Sequence, residues 1–149
     1  MDSIVQSSTS LLQRYAQVLD HLQADNLNDL SELLDNRVRF IDPFNDLSGK
    51  SAFIGVMREM FEKLDDVRFD VLQQNQSEHD GWLYWRFSAT SGVTGPFSVE
   101  GSSRIRFTEA GLVELHHDFW DASRMMQELP VFGRLIAVIR RRAAYSSAD

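Results

Sequence analysis

The sequence predicts an α+β domain in which three N-terminal helices pack inside a curved sheet of mixed or antiparallel strands, followed by a C-terminal helical tail. Apolar residues recur at helical spacing in three segments before residue 65, and from residue 67 to residue 121 they alternate with a period of two. Such an order wraps the sheet around the helices and leaves a cone-shaped cavity between them. The 149 residues suit one core of this kind, so we predict a domain of residues 1–121 and a helical extension of residues 122–149.

The three predicted helices are recognised by their apolar stripes and by the residues that precede them. The first helix follows Ser10 and carries Tyr15 on its buried stripe. A shorter second helix follows the capping residues Ala24-Asp25-Asn26 and includes residues 27–34. The third helix begins at a turn and cap supplied by Ser48-Gly49-Lys50-Ser51. Its apolar stripe consists of Phe53, Val56, Met57, Met60, Phe61 and Leu64.

The predicted strands are short segments of alternating character bounded by turn residues. The first of them, residues 37–41, stops at Asp42-Pro43, because proline cannot continue a strand in the middle of a sheet. Glycine-containing turns separate the others, as expected for an antiparallel meander. These other strands are predicted at residues 67–72, 82–90, 97–107 and 112–121.

The composition excludes several classes of protein. A net charge of -7 argues against general nucleic-acid binding, and the absence of cysteine excludes disulfides, thiol nucleophiles and cysteine-based metal sites. No apolar run approaches the roughly 20 residues of a membrane span, and the N-terminus has no basic, apolar leader. We therefore expect a cytoplasmic protein without stable membrane association, and we expect neither a metal nor a cofactor.

The last predicted strand carries the residues that indicate function. Because side chains alternate along a strand, one face is predicted to hold Glu114, His116, Asp118 and Trp120, and the other Val113, Leu115, His117 and Phe119. A carboxylate beside a histidine and a tryptophan is costly in a closed core, whereas it suits the wall of a cavity. We therefore predict that the first of these faces lines a pocket.

The order of these elements, with several local motifs, resembles the NTF2-like superfamily, in particular its ketosteroid isomerase and SnoaL-like polyketide cyclase branches. The resemblance covers residues 10–121. Its motifs are Gln13-Arg14-Tyr15, Phe40-Ile41-Asp42-Pro43-Phe44, Ser48-Gly49-Lys50-Ser51-Ala52, Arg104-Ile105-Arg106-Phe107 and the last strand with its His-x-Asp-x-Trp-Asp pattern.

The resemblance implies roles for individual residues. Tyr15 falls at the oxyanion-donating tyrosine of ketosteroid isomerase, and Asp42 falls at its proton-shuttling aspartate. Ser103 stands where that enzyme keeps a protonated acid, so this chain departs from the isomerase pattern there, and Ser103 is expected to contact the substrate through its weaker hydroxyl donor. His116 and Asp118 resemble the pocket histidine and aspartate of SnoaL-like proteins, and a histidine beside a carboxylate suits proton transfer near neutral pH.

Each of these residues also has a purely structural interpretation. In this interpretation Asp118 only accepts hydrogen bonds from Tyr15 or a backbone amide, and His116 is a solvated residue at the pocket rim. Asp42 then belongs to the common turn chemistry of an Asp-Pro pair. Tyrosines on apolar helix stripes are usually core residues. Trp120, Trp85, Phe44, Met57 and Phe61 are expected to line the pocket, although filling a core explains any one of them as well.

Two functions from different classes follow. In the first, the protein is an enzyme in which Asp118, assisted by His116 or Asp42, removes a proton next to a carbonyl or activates water, while Tyr15 donates to the oxyanion. Isomerisation, aldol-type cyclisation and epoxide hydration all use such a site. In the second, it is a non-catalytic ligand-binding or assembly domain. In both, a small, largely apolar molecule is the expected ligand, and a homodimer joined through the outer sheet face is expected.

Overall fold

The computed structural model describes residues 9–123, 138–139 and 141–144. Helices α1 (Leu11–Asp20) and α2 (Leu27–Leu33) precede β1 (Leu34–Ile41), the short β2 (Asp46–Ser48) and helix α3 (Lys50–Lys63). The meander follows, with β3 (Leu64–Ser77), β4 (Asp80–Ser91), β5 (Gly95–Phe107) and β6 (Val113–Trp120). The predicted α+β architecture is confirmed. The predicted C-terminal extension of residues 122–149 lies largely outside the described residues.

The strands form one six-stranded sheet in the order β2-β1-β6-β5-β4-β3. β1 runs parallel to β6, and the other neighbouring strands are antiparallel. The last strand therefore lies in the middle of the sheet, between β1 and β5. This central position places the residues of β6 opposite the helices. In the described part of the chain, no helix has the length and apolar character that crossing a membrane requires.

Local sequence explains where the helices begin and end. The Ser10 side chain accepts a hydrogen bond from the backbone of Gln13, whose side chain accepts one in return from the Ser10 backbone, and this capping box starts α1. Helix α3 starts in the predicted place, but it is preceded by Gly49 at a φ of 103° and has no side-chain cap. Leu34, predicted in the second helix, instead begins β1. β2 was not predicted; it pairs with β1 next to Asp42-Pro43.

The core lies between the helices and the inner face of the sheet. Phe40 of β1 and Phe53 of α3 stack with ring centroids 4.6 Å apart, and both side chains are buried. The burial of β4 follows the predicted alternation, with Leu83, Trp85 and Ala89 inside. The aromatic core therefore joins β1 to α3 and surrounds the hollow that these elements enclose.

The predicted inward orientation of Glu114 is wrong. Arg106 of β5 pairs with Leu115, but the next residue, Phe107, pairs with Val113, so Glu114 is the extra residue of a β-bulge. Val113 takes the core position, and Glu114 is exposed. Beyond the bulge the strand returns to the predicted alternation. The bulge therefore does not alter which face the site residues occupy.

Candidate active site

A cavity of about 480 Å³ opens between α3 and the inner face of the sheet. Its volume lies in the range typical of small-molecule sites. The structure places all five predicted lining residues on its wall, which is mostly apolar. The wall includes Phe40, Phe44, Phe53, Met57, Met60, Phe61, Phe69, Trp85, Phe87, Val99, His116, Asp118 and Trp120.

Asp118 is the acidic group that β6 supplies to this wall, beside His116 and Trp120. Its Oδ1 atom lies 2.7 Å from Nε2 of His116. The same oxygen accepts a hydrogen bond from the hydroxyl of Ser103, the residue opposite Asp118 on β5. The indole N–H of Trp85 donates in turn to the Ser103 oxygen at 2.8 Å. Two donors from two strands therefore hold one carboxylate oxygen.

His116 is fixed from its other side by Tyr15. The Tyr15 hydroxyl lies 2.7 Å from Nδ1 of His116, which is its one hydrogen bond within the described residues, and the tyrosine has 0% exposure. A buried hydroxyl needs an acceptor for its proton, so Tyr15 donates to Nδ1 and the imidazole carries its own proton on Nε2. That proton points at Asp118. The ring centroids of Phe40 and Phe53 lie 5.5 and 5.3 Å from the centroid of the imidazole, so the two rings restrict its orientation.

The carboxylate is consequently held at one oxygen and open at the other. Among the described residues, hydrogen bonds to Asp118 reach only Oδ1, and none reaches Oδ2. The Asp118 side chain retains 15% exposure. Because no described residue engages Oδ2 and the surrounding wall is mostly apolar, Oδ2 can take a proton or a hydrogen bond from a bound molecule.

The other predicted catalytic residues occupy different positions. Asp42 lies at the edge of the cavity, but its Oδ1 accepts hydrogen bonds from the backbone amides of Phe44 and Asn45, both at 2.7 Å. This is the turn chemistry of an Asp-Pro segment. Tyr15 and Ser103 are absent from the described cavity wall and lie behind His116 and Asp118. Tyr15 and Ser103 therefore hold these two residues in position and do not themselves line the cavity.

Sequence reasoning missed the link from Trp85 to Ser103. Trp85 was expected to line the cavity, and it does, but its N–H also fixes the serine that holds Asp118. The alternation of β4 and β5 put both side chains on inner faces. The pairing register that brings them together was not available from the sequence. Among the described residues, no group of three or more histidine or acidic side chains is arranged to hold a metal ion.

Burial and the charge of Asp118 raise the pKa of Tyr15 well above the ordinary value of 10.0. The unfolded chain therefore releases this proton as the pH rises past 10, while the folded protein keeps it, and the free energy of unfolding should fall in that range. Tyr15→Phe should flatten this alkaline slope. It should also cost about 1–3 kcal/mol at neutral pH, because Nδ1 of His116 loses its donor. Urea unfolding between about pH 7 and 11 measures both effects.

Tyr84→Phe is the comparison variant, since Tyr84 is an exposed tyrosine on β4 whose pKa is raised chiefly by its hydrogen bond to Glu100 rather than by burial. The variant should keep most of the alkaline slope. If the Tyr15 and Tyr84 variants flatten the slope equally, the buried hydroxyl is not its source.

Gly101 allows the Trp85 indole to lie flat against β5. A Cβ atom at this position would come within 2.6 Å of Trp85 Cη2 and 2.8 Å of the backbone oxygen of Phe119. Gly101→Ala should therefore displace the indole and destabilise the fold by about 1–3 kcal/mol. Gly92→Ala is the control, because nothing lies within 4 Å of the Cβ there. Equal denaturation midpoints for the two variants would contradict this packing.

Comparison with known proteins agrees with this architecture. The family model described as a SnoaL-like domain matches residues 14–116, and the chain belongs to this family. Among curated proteins, none matches the chain. The predicted resemblance to NTF2-like and SnoaL-like proteins is thus confirmed.

Solved structures share the fold at low sequence identity. An NTF2-like protein of unknown function from Exiguobacterium sp. 255-15 is 19% identical, with a TM-score of 0.66 over 75% of this chain and 98% of its own. A putative SnoaL-like polyketide cyclase from Shewanella denitrificans OS-217 is 14% identical, with a TM-score of 0.67 over 80% and 93%. An epoxide hydrolase of M. tuberculosis, described as LEH-like, is 11% identical, with a TM-score of 0.63 over 91% and 93%.

Proposed function

We propose that this protein is an enzyme that binds a small, largely apolar carbonyl compound in its cavity and uses Asp118 as a general base. The observation that carries the proposal is that the two oxygens of the Asp118 carboxylate differ in their hydrogen bonds. Oδ1 is held by His116 and Ser103, and Oδ2 has no hydrogen bond within the described residues. A positioned base with an oxygen that the described residues leave free, in a mostly apolar cavity, is suited to the abstraction of a proton from carbon.

The reaction needs no partner other than the bound molecule. A proton leaves the carbon next to the carbonyl and goes to Oδ2 of Asp118. The electron pair of that C–H bond becomes the new C=C bond, and the carbonyl π electrons move to oxygen. Return of the proton to a conjugated carbon completes isomerisation. In D₂O the proton on Oδ2 exchanges with solvent, so that a deuteron returns to the original carbon and completes isotope exchange. Aldol-type cyclisation begins with the same first step, in which the enolate attacks a second carbonyl instead.

Four side chains support the base: His116 and Trp85 form part of the cavity wall, and Tyr15 and Ser103 lie behind it. Tyr15 fixes the tautomer of His116, so that Nε2 donates to Asp118. Trp85 fixes Ser103, so that the serine hydroxyl also donates to it. Both donors stabilise the carboxylate and hold its plane. Asp42 is not used as the base, because both of its oxygens are engaged in the turn that follows β1: Oδ1 by the amides of Phe44 and Asn45, and Oδ2 by the Asn45 side chain at 3.2 Å.

The proposal can be tested without knowledge of the natural substrate. A flat bicyclic ketone such as 2-tetralone is small enough for the cavity and has exchangeable protons next to its carbonyl. In D₂O, the protein should accelerate loss of these proton signals in the NMR spectrum, with a rate that saturates as the ketone concentration rises. Asp118→Asn should remove the saturable rate. If the variant keeps the wild-type rate, the base is elsewhere; if the wild type binds the ketone without exchange, the cavity is a non-catalytic binding site.

A further inference from the structure

Trp120 carries a hydrogen-bond donor that no described residue of the protein uses. Its indole lines the cavity on the same face of β6 as Asp118, two residues further along the strand. Its N–H makes no hydrogen bond with any described residue. Trp85 differs in this respect, because its N–H is engaged with Ser103. A tryptophan N–H can only donate, so Trp120 presents a donor that the described residues leave unsatisfied.

The other donors near Asp118 are already engaged. The His116 Nε2–H and the Ser103 hydroxyl point at Asp118, and the Tyr15 hydroxyl points at His116. On the turn at the cavity edge, the Asn45 side-chain amide donates to Asp42 at 3.0 Å. Lys63, at the rim, is exposed and paired with Glu59. Among the described wall residues, Trp120 is therefore the uncharged side chain whose single donor has no protein partner.

The position of Trp120 suits contact with the carbonyl oxygen, which is bonded to the carbon next to the reacting carbon. Residues two apart on a strand lie roughly 7 Å from each other along one face. The distance between Asp118 and Trp120 is similar to the length of a carbonyl group and its neighbouring carbon, with a contact to Asp118 at the carbon end and a hydrogen bond to Trp120 at the oxygen end. Phe44 packs edge-on against the indole, with ring centroids 5.7 Å apart, and supports it from the side of the cavity mouth.

We infer that the indole N–H of Trp120 donates to the carbonyl oxygen of the bound molecule and carries the charge that develops there when Asp118 removes the neighbouring proton. The inference rests on the proposed function of Asp118 and assigns the oxyanion donor to Trp120, in place of Tyr15. When the C–H electron pair forms the C=C bond, the carbonyl oxygen becomes negative and its hydrogen bond to the N–H strengthens. The site then selects ligands with an acceptor oxygen one carbon away from an acidic C–H bond.

The test compares two probes of nearly the same shape, 2-tetralone and tetralin, of which only the first has a carbonyl oxygen. In protein labelled with ¹⁵N at the indole nitrogens, Trp120→Phe identifies the Trp120 signal by its loss. The Trp120 indole proton should move downfield when 2-tetralone is added, and tetralin should not produce this shift. A shift confined to the Trp85 signal, or equal shifts with both probes, would overturn the assignment.

A nearly isosteric replacement measures the contribution of the N–H alone. β-(3-Benzothienyl)alanine at position 120 keeps the bicyclic ring and substitutes sulfur for the N–H group. Affinity for 2-tetralone should fall roughly 3- to 10-fold, as expected for loss of one hydrogen bond, while affinity for tetralin should stay the same. The same replacement at Trp82, which is exposed and does not line the cavity, is the matched control and should change neither affinity.

The outcomes separate this inference from the proposed function. Asp118→Asn should abolish deuterium exchange and still show the tetralone-induced shift of the Trp120 signal, since the donor is intact. If wild-type protein shows the shift without any exchange, the donor assignment to a ligand oxygen stands and the proposed catalysis fails. If exchange persists while the position 120 replacement lowers neither the exchange rate nor the ketone affinity, the catalysis stands and the role of Trp120 is overturned.

Discussion

Asp118→Asn should slow the saturable exchange of the α-protons of 2-tetralone by roughly 100-fold or more, in the range by which positioned general bases accelerate proton transfer. The amide keeps the size of the carboxylate and can still accept from Ser103 or His116. It cannot take up a proton from carbon. The loss should therefore appear in the rate at saturating ketone, and the concentration giving half the maximal exchange rate should change little, because the apolar wall that binds the ring is unaltered.

Folding and general protein effects are controlled separately. Glu114→Gln removes a carboxylate from the exposed bulge of β6 and should leave both the rate and the stability unchanged. Near-identical unfolding midpoints for Asp118→Asn and wild type would show that the lower exchange rate comes from loss of the base and not from loss of folded protein. A rate within threefold of wild type in the Asp118 variant would contradict the assignment of the base.

The sequence predicted the site to the extent that its features are local. Side-chain alternation is a property of the strand itself, so the inward orientation of His116, Asp118 and Trp120 followed directly from their spacing and is confirmed by the cavity wall. Glu114 was misplaced because the bulge depends on how β5 pairs with β6, and no pattern within residues 112–121 records this pairing. The residue pattern of one strand cannot predict a feature that depends on how the neighbouring strand pairs with it.

The connections behind the wall depend on contacts between distant segments. The helical stripe predicted that Tyr15 is buried, but its hydroxyl meets His116 across 101 positions of the chain. Resemblance suggested that this hydroxyl faces a ligand, whereas the packing of α1 places it behind the histidine. Similarly, Ser103 was expected to contact substrate, and the register of β4, β5 and β6 instead places it between Trp85 and Asp118.

The turn after β1 illustrates a case in which the sequence left two interpretations open. Asp42 was both a candidate proton shuttle and a candidate turn residue. The hydrogen bonds to its Oδ1 from Phe44 and Asn45 show the turn role directly. The sequence could not separate the two, because an Asp-Pro pair after a strand is compatible with either, and the distance from Asp42 to a second catalytic group is not a local property.

The largest loss of stability is expected from Phe40→Ala. Phe40 has 1% exposure, stacks on Phe53 at 4.6 Å and lies beside the His116 ring. Removing a buried phenylalanine ring costs about 3–5 kcal/mol, because the lost apolar contacts are not replaced when the surrounding structure fails to collapse. The loss should be at the upper end here, since Phe40 already borders a cavity and its deletion enlarges an existing hollow. Urea or guanidinium unfolding measures the change.

The matched control is Phe44→Ala, four residues later, which removes the same atoms from a side chain that is 58% exposed. It should cost less than about 1 kcal/mol, as surface substitutions usually do. The two variants should also differ at the site. Loss of Phe40 frees one face of the His116 ring and should lower the exchange rate through Asp118, whereas loss of Phe44 removes a support of Trp120 and should weaken ketone binding instead. Equal destabilisation by the two variants would show that the Phe40–Phe53 stack does not anchor the wall of the cavity.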